Sequence, residues 1–337
     1  MTQTPLGTLT GRHFLKLLDY ETQEIEELLE LSASLKHKRE QGLEEHHLRG
    51  KVIALIFEKD STRTRCAFEL GALHQGGHTT YLGPSGTHIG SKETIADTAR
   101  VLGGMFDAIL YRGSAQANVE TLAKYSGVPV YNGLTDEFHP TQILADLLTM
   151  RECCPKPLNE QSLVYLGDGA NNMANSLMVG CAKLGIDFRI ASPNQLRPDE
   201  RVVQMSRELG QRTGAKLRFY ENPVEAVRRA DFLYTDVWLS MGQSPDEWEE
   251  RIKSLRSFRI DSELMKATGN PESKLLHCLP SYHDSNTATG AKFKEQTGLE
   301  GLEVSNEVFE SSQSVVFQQS ANRLHTIKAI MVASLGV

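Results

Sequence analysis

The chain has 337 residues and a mass of 37.5 kDa, enough for about two domains of ordinary size. Its 39% hydrophobic and 23% charged residues are typical of a globular protein and exclude a disordered chain. The formal net charge of −7 at pH 7 excludes a diffuse positive field, so we expect neither nucleic acid nor a membrane as a partner.

The apolar runs and the cysteines also bear on the compartment. No apolar run approaches the roughly 18 residues of a spanning helix, and residues 1–11 lack the apolar middle of a signal peptide, so we expect a cytoplasmic protein. The cysteines form no CxxC pair, which predicts free thiols and no structural metal site. They are Cys66, Cys153, Cys154, Cys181 and Cys278.

The predicted elements begin with an amphipathic helix over residues 25–35, which follows a group of glutamates. Short apolar runs of strand length then recur along the chain, with helix-like segments between most of them. This alternation predicts βαβ units in parallel sheets. The runs are 51–57, 79–82, 108–111, 128–131, 163–166, 188–191, 217–220, 232–237 and 275–279.

The predicted strands divide into two groups, four before Phe138 and five after Asn159. Between the groups lies a predicted helix over residues 140–152, which a Cys-Cys-Pro-Lys-Pro segment ends. We therefore predict an α/β fold of two doubly wound parallel-sheet domains, with the active site in the cleft between them. A last predicted helix, over residues 321–335, could pack on either domain.

The segment Glu58-Lys-Asp-Ser-Thr-Arg-Thr-Arg65 follows the first predicted strand and leads into a helix. Ser61, Thr62, Arg63 and Thr64 would then lie at the helix N-terminus, where backbone N–H groups, hydroxyls and a guanidinium suit a phosphate. A Ser or Asp N-cap followed by solvated arginines explains the segment equally well. The segment contains neither a Walker lysine nor a GxGxxG pattern, so a nucleotide is the weaker interpretation.

Polar groups also follow the next predicted strands. Arg112 comes at the carboxyl end of one strand, the edge at which open α/β sheets bind ligands. His139 and Gln142 lie three residues apart at a helix start and could offer an imidazole and an amide to a small carbonyl. Each could instead be a surface or structural residue, but their repeated placement after strands favours a ligand site.

The second half of the chain supplies a carboxylate and a thiol at strand ends, Asp236 and Cys278. A carboxylate there can hold an ammonium group. Cys278 could be a nucleophile, although a small buried thiol is the favoured interpretation. Gly167 and Gly169 begin a dinucleotide-like turn, but Asn172 stands where the third glycine belongs, so nicotinamide binding is only weakly indicated.

Four segments together, in this order and spacing, resemble the carbamoyltransferases: Ser61-Thr-Arg-Thr-Arg65, His139-Pro-Thr-Gln142, Asp236-Val-Trp-Leu-Ser-Met-Gly242 and His277-Cys-Leu-Pro280. The first two are shared by the aspartate and ornithine carbamoyltransferases. The Ser-Met-Gly and His-Cys-Leu-Pro elements are similar to those of the ornithine carbamoyltransferases. The resemblance extends over essentially the whole chain.

The resemblance implies that residues 1–150, together with the helix 320–337, bind carbamoyl phosphate, and that residues 151–319 bind L-ornithine. It implies three catalytic residues, Arg112, His139 and Cys278, and neither a metal nor an organic cofactor. The implied donor ligands are Ser61, Thr62, Arg63, Thr64, Arg112, His139, Gln142 and Arg323. The implied acceptor ligands are Asn172, Asp236, Ser240, Met241, Cys278 and Leu279.

The resemblance further implies a homotrimer, or a multiple of trimers, in which the loop with His88 reaches the neighbouring active site. The implied reaction transfers the carbamoyl group of carbamoyl phosphate to the δ-amine of L-ornithine, giving L-citrulline and phosphate. Three alternatives remain open. They are a carbamoyltransferase for putrescine or aspartate, a nicotinamide oxidoreductase, and a non-catalytic protein that binds a small phosphate compound.

Overall fold

The computed structural model describes residues 9–85, 92–238 and 245–336, apart from the side chains of 245–247. The chain divides into two compact units. Unit 1 comprises Met1–Leu148 and Ala321–Val337, and unit 2 comprises Thr149–Ser320. Unit 1 is therefore built from two separate stretches of the sequence.

Unit 1 contains a four-stranded parallel sheet with the order β2-β1-β3-β4. The strands are β1 (Val52–Phe57), β2 (His78–Leu82), β3 (Ala108–Arg112) and β4 (Val130–Leu134). The helices of this part of the chain are α1 (Thr22–Glu40), α2 (Thr62–His74), α3 (Ile95–Gly103), α4 (Gln116–Ser126) and α5 (Pro140–Cys153), with a 3-10 helix at Leu17–Asp19.

The sheet of unit 1 is buried at its centre and protected at one edge. The apolar runs of β1 and β3 are almost entirely buried, as expected when helices cover both faces of a parallel sheet. At the β4 edge, the backbone of Phe14 donates to the Val130 carbonyl and accepts from the Asn132 N–H, each over 2.8 Å. This short pairing covers backbone groups that an open edge would expose.

Unit 2 contains a five-stranded parallel sheet with the order β7-β6-β5-β8-β9. The strands are β5 (Ser162–Leu166), β6 (Asp187–Ala191), β7 (Lys216–Tyr220), β8 (Phe232–Thr235) and β9 (Lys274–His277). The helices are α6 (Asn172–Lys183), α7 (Glu200–Thr213), α8 (Pro223–Ala226), α9 (Pro245–Leu255), α10 (Ser262–Ala267), α11 (Ala288–Thr297) and α12 (Asn306–Phe309). The closing helix α13 (Val316–Leu335) begins in unit 2, and its residues from Ala321 onward belong to unit 1. Short 3-10 helices lie at Leu158–Glu160, Asn194–Leu196 and Arg256–Phe258.

The core of unit 2 includes the completely buried Trp238, which comes just after β8. The β9 edge is covered as the β4 edge is: Leu275 N donates to Gln313 O over 2.9 Å, and Leu275 O accepts from Val315 N over 3.1 Å.

Among the described residues, no helix is both long and apolar enough to cross a membrane.

The predicted fold of two parallel α/β domains is confirmed, and each predicted strand is present. Two predicted runs extend beyond their strands, because β8 ends at Thr235 and β9 at His277. Asp236 and Cys278 therefore stand in the loops after those strands. The predicted run at 128–131 both starts and ends too early, since β4 begins at Val130 and continues through Gly133 to Leu134.

The strand order places a topological switch point in each sheet. In unit 1 the chain moves from β1 to β2 on one side and then to β3 on the other. In unit 2 the corresponding switch lies between β5 and β8. Ligands of open α/β sheets bind beyond the carboxyl ends of the strands at such points. The loops after β1, β3, β5 and β8 are thus the places to look for a site.

Candidate active site

The loop after β1 ends in a capped helix start. Ser61 is the N-cap of α2, and its Oγ accepts a hydrogen bond from the Thr64 N–H over 3.3 Å. The N-cap that this segment suggested is therefore present at Ser61, although Arg63 is partly buried rather than fully solvated. It does not compete with anion binding, because the first turn of a helix has four backbone N–H groups without intrahelical partners and carries the positive end of the dipole.

Two guanidinium groups meet at the buried hydroxyl of Thr64. Its Oγ1 accepts from Arg112 Nη1 over 3.3 Å and from Arg323 Nη2 over 2.7 Å. Arg112 is the last residue of β3, while Arg323 comes from α13. A hydroxyl has two lone pairs and one proton. Since both lone pairs are engaged, the Thr64 hydroxyl can interact with a third group only as a donor.

His139 immediately precedes α5 and is 5% exposed. Burial holds the pKa of its imidazole well below the usual 6.5, and the positive charges of Arg323, Arg112 and Arg63 act in the same direction. The ring is therefore neutral at physiological pH, with one donor and one acceptor nitrogen. We call Arg63, Thr64, Arg112, His139 and Arg323 the cationic cluster.

Two residues that contact candidate site residues were not singled out from the sequence. The carbonyl of Gly133 lies 3.5 Å from Arg112 Nη1, and a side chain at this position would come within 3.2 Å of the Thr64 methyl group. Asp146 accepts a hydrogen bond from Gln142 Nε2 over 2.8 Å, and both side chains are buried. The signal for Asp146 was its place four residues after Gln142 on a largely apolar helix.

In unit 2, the loop after β5 is held by its own side chains. Asn171 caps α6 by accepting from the Ala174 N–H over 2.9 Å, and it donates to the Tyr165 hydroxyl over 2.8 Å. Asn172, the first residue of α6, is partly exposed. Arg251 donates to Asp168 in this loop and to the Trp238 carbonyl after β8, so it connects the two loops of the switch point.

The loops after β8 and β9 bring a carboxyl group and a thiol together. Cys278 Sγ donates to Asp236 Oδ1 over 2.9 Å, and the Val237 N–H donates to the same oxygen over 2.7 Å. Although Asp236 keeps some exposed surface, burial of its carboxyl group raises its pKa. A poorly solvated carboxylate of this kind is stabilised by a cationic ligand.

A buried pair fixes the backbone beside Cys278. His277 Nδ1 accepts from the Leu279 N–H over 2.9 Å, so the ring proton lies on Nε2, 3.3 Å from Glu303 Oε1. The same carboxylate oxygen accepts from Ser281 Oγ over 2.8 Å and from the Tyr282 N–H over 2.6 Å. Leu279 has a φ of 55°, an uncommon conformation for a residue with a side chain, and these contacts hold it there. We call Asp236, His277, Cys278 and Glu303 the acidic cluster.

The ligand atoms of Asp236, His277 and Cys278 lie within 4.8 Å of one another, as a metal would require. However, one nitrogen of the imidazole accepts from Leu279 and the other faces Glu303. Metal binding by His277 would break one of these interactions. The donor set is therefore a poor fit to a metal ion.

The candidate residues are thus brought together within each unit. In unit 1, Arg112 and Arg323 converge on Thr64 at the capped start of α2. The same guanidiniums act on the ring of His139, and Gln142 lies one turn after His139. In unit 2, Asp236, Cys278 and Leu279 are adjacent. His88, Ser240 and Met241 lie outside the described residues.

Two family models match consecutive parts of the chain. Residues 12–152 match the carbamoyl-P binding domain of the aspartate/ornithine carbamoyltransferases, and residues 159–334 match their Asp/Orn binding domain. The chain belongs to the aspartate/ornithine carbamoyltransferase family. This membership replaces the nicotinamide oxidoreductase alternative.

Solved structures of this family are similar over nearly the full chain. The ornithine carbamoyltransferase of Pyrococcus furiosus is 41% identical with a TM-score of 0.88, and the match covers 97% of this chain and 98% of that one. The anabolic ornithine carbamoyltransferase of Campylobacter jejuni is 34% identical, with a TM-score of 0.83 and coverages of 95% and 97%. The Thermus thermophilus ornithine carbamoyltransferase is also 34% identical, with a TM-score of 0.79 and coverages of 99% and 100%.

Proposed function

We propose that this protein is an ornithine carbamoyltransferase, which transfers the carbamoyl group of carbamoyl phosphate to the δ-amine of L-ornithine. The observation that carries the proposal is the contrast between the two switch points. One holds a buried hydroxyl between two guanidiniums, and the other holds a poorly solvated carboxylate. An anionic donor and a cationic amino-acid acceptor are the ligands that these clusters suit.

The cationic cluster suits the phosphate group of the donor. We assign the phosphate to the N-terminus of α2, with Ser61, Thr62 and Thr64 as hydroxyl or backbone donors and Arg63 as a counter-charge. Arg112 would bridge the phosphate and the carbamoyl oxygen. Guanidiniums and helix N-termini together bind phosphate through charge-assisted hydrogen bonds.

The same cluster supplies donors for the transition state. Attack of the amine on the carbamoyl carbon places negative charge on the carbamoyl oxygen, which prepositioned donors stabilise. Arg112, the Thr64 hydroxyl and the neutral ring of His139 are the donors that we assign to this oxygen. The new C–N bond forms first, the C–O bond to phosphate then breaks, and the proton that the amine loses leaves with the phosphate.

The acidic cluster suits the acceptor. We assign the α-ammonium group of ornithine to Asp236, its α-carboxylate to Asn172, and its side chain to Cys278 and Leu279. The attacking δ-amine must be neutral, yet a free alkyl amine has a pKa near about 10.4, so the site must bind the deprotonated form or lower that pKa. Because the Cys278 thiol donates a hydrogen bond to Asp236, we assign it to ligand positioning rather than to covalent catalysis.

The test is citrulline formation from carbamoyl phosphate and ornithine, measured against putrescine and aspartate as acceptors. We expect kcat/KM for ornithine to exceed that for putrescine at least about a hundredfold, because putrescine lacks the carboxylate assigned to Asn172 and leaves polar groups of the site unpaired. Asp236 alone could hold a plain diamine. If putrescine is turned over faster than ornithine, putrescine and not ornithine is the acceptor substrate. Donor binding without turnover of any acceptor would indicate a non-catalytic binding protein.

A further inference from the structure

The side chain of Gln142 has a fixed orientation in the structure. Its Nε2 donates to Asp146 Oδ1 over 2.8 Å, and the two residues lie one turn apart on α5 with exposed fractions of 1% and 0%. A carboxylate only accepts hydrogen bonds. The end of the amide that faces Asp146 must therefore be the NH2 group, and the carbonyl oxygen is the other end.

This carbonyl oxygen, Gln142 Oε1, is buried and accepts no hydrogen bond from the described residues. Buried acceptors are nearly always paired, because losing water without gaining a donor is unfavourable. Gln142 follows His139 by one turn, its backbone N–H donating to the His139 carbonyl over 3.1 Å, and the guanidiniums of the cationic cluster act on the ring of His139. The guanidiniums of the cationic cluster can only donate hydrogen bonds, whereas Gln142 Oε1 can only accept them.

We propose that Asp146 is a positioning residue that selects the carbamoyl group over other acyl groups. This inference rests on the proposed function. By holding the Gln142 amide in one orientation, Asp146 presents Oε1 to the NH2 group of carbamoyl phosphate. With the amide reversed, two NH2 groups would face each other and no hydrogen bond could form.

Acetyl phosphate is the probe that isolates this effect. It has the same phosphate and carbonyl as carbamoyl phosphate, but a methyl group replaces NH2. An acceptor at this point forms a hydrogen bond with the NH2 group of carbamoyl phosphate. The methyl group of acetyl phosphate cannot donate, so it leaves the acceptor unpaired. Asp146 should therefore affect the binding of carbamoyl phosphate and hardly affect that of acetyl phosphate.

The experiment compares the wild type with Asp146→Asn, Gln142→Met and the double variant. For each, the KM of carbamoyl phosphate and the Ki of acetyl phosphate as a competitor are measured, and the ratio of Ki to KM is the readout. Asp146→Asn keeps the shape of the side chain but can donate as well as accept, so it no longer fixes the amide. Asp107→Asn is the matched control, since Asp107 accepts from the Val52 N–H over 2.9 Å and pairs with Lys51 within unit 1.

We expect Asp146→Asn to lower this ratio about tenfold or more, with the acetyl phosphate Ki within about twofold of the wild-type value. Gln142→Met should lower the ratio at least as far, and Asp146→Asn should add nothing in that background. Asp107→Asn should leave the ratio unchanged. If Asp146→Asn weakens both ligands equally, or has the same effect in the Gln142→Met background, its role is structural and the inference is wrong.

These outcomes separate the inference from the proposed function. If the wild-type protein transfers no carbamoyl group to any amine, the proposed function fails. If it forms citrulline but Asp146→Asn or Gln142→Met keeps the wild-type ratio, the function stands and the role of Asp146 is refuted.

Discussion

The two switch points share one backbone arrangement and carry opposite chemistry. In both units, a parallel sheet reverses its winding direction, and polar side chains follow the strands on either side of the reversal. In unit 1, Arg112 at the end of β3 and Arg323 of α13 bring two guanidiniums to the Thr64 hydroxyl. In unit 2, Cys278 after β9 brings a thiol to the carboxyl group of Asp236 after β8. The sheet thus determines where a ligand binds, and a few loop residues determine its charge.

The pKa shifts of the two clusters show the same contrast. Burial and neighbouring arginines keep the imidazole of His139 neutral by lowering its pKa, while burial raises the pKa of Asp236. The first cluster already has an excess of positive charge, and the second has a carboxylate that lacks solvation. Each therefore gains from a ligand of the opposite sign.

The largest expected effect comes from Arg112→Ala. Removing a donor from a developing oxyanion typically lowers turnover on the order of 10²–10³-fold, so kcat should fall at least that far while the protein remains folded. The KM of ornithine should change little, because Arg112 belongs to unit 1. Steady-state kinetics with both substrates varied measures the two effects separately.

Arg100→Ala provides the control for Arg112→Ala. Arg100 is an exposed arginine of unit 1 that pairs with Asp97 over 2.8 Å on α3. Its loss should leave kcat within about twofold, since exposed ion pairs contribute little. A normal kcat for Arg112→Ala at saturating substrates would remove Arg112 from the mechanism.

A smaller and more selective effect is expected for Asp236→Asn in unit 2. Loss of a hydrogen bond to a charged group costs about 1.5–3 kcal/mol, which corresponds to a rise of roughly tenfold to a hundredfold in the KM of ornithine. The KM of carbamoyl phosphate should stay within about twofold.

Asp199→Asn is the matched control for Asp236→Asn, because Asp199 is an exposed N-cap of unit 2 that pairs with Arg201. It should change neither KM. Equal weakening of both substrates by Asp236→Asn would contradict the separation of the two clusters.

The smallest expected effect is a difference in acid sensitivity between the units. In unit 1, burial and then Lys328 lower the pKa of His325 from 6.5 to about 4. A histidine whose pKa is lower in the folded state takes up its proton more readily when unfolded, so unit 1 loses stability as the pH falls from 6.5 towards 4. His139 adds to this loss, whereas the raised pKa of Asp236 has the opposite sign in unit 2.

Between pH 7 and pH 5, His325 should cost unit 1 roughly 1–2 kcal/mol, after a reduction for its remaining contact with solvent. Hydrogen exchange resolved by peptide at the two pH values, corrected for the intrinsic rate, should show weaker protection in unit 1 than in unit 2. The variant His325→Gln should reduce the difference. Equal loss of protection in both units would show that these groups do not dominate the acid response.

Much of this organisation could be predicted from the sequence, for physical reasons. A parallel strand with both faces covered is apolar throughout, so runs such as 51–57 and 163–166 are recognisable without a structure. Likewise, the early glutamates and apolar periodicity of α1, and Pro140 and the Cys-Cys-Pro-Lys-Pro segment that bound α5, predict helices close to the observed ones. The strand ends near Asp236 and Cys278 were misplaced because apolar loop residues extend the same pattern.

Contacts between distant residues were beyond the sequence pattern. Nothing local predicts that Glu303 pairs with His277 or that Arg251 connects two loops, because neither contact has a periodicity or a fixed spacing. Asp146 could have been noticed, since an acid on a largely apolar helix four residues after Gln142 is unusual. The helix packing that makes this acid buried becomes visible only in three dimensions.

The position of Arg323 has a consequence for how the protein is made. It is separated by 259 residues from its partner Thr64, with the whole of unit 2 encoded between them. Domains tend to fold as they emerge during synthesis. A nascent chain of this protein can form the sheet of unit 1 early, but it cannot complete the cationic cluster until α13 has left the ribosome. Chains released before that point would lack one of the two guanidiniums at Thr64.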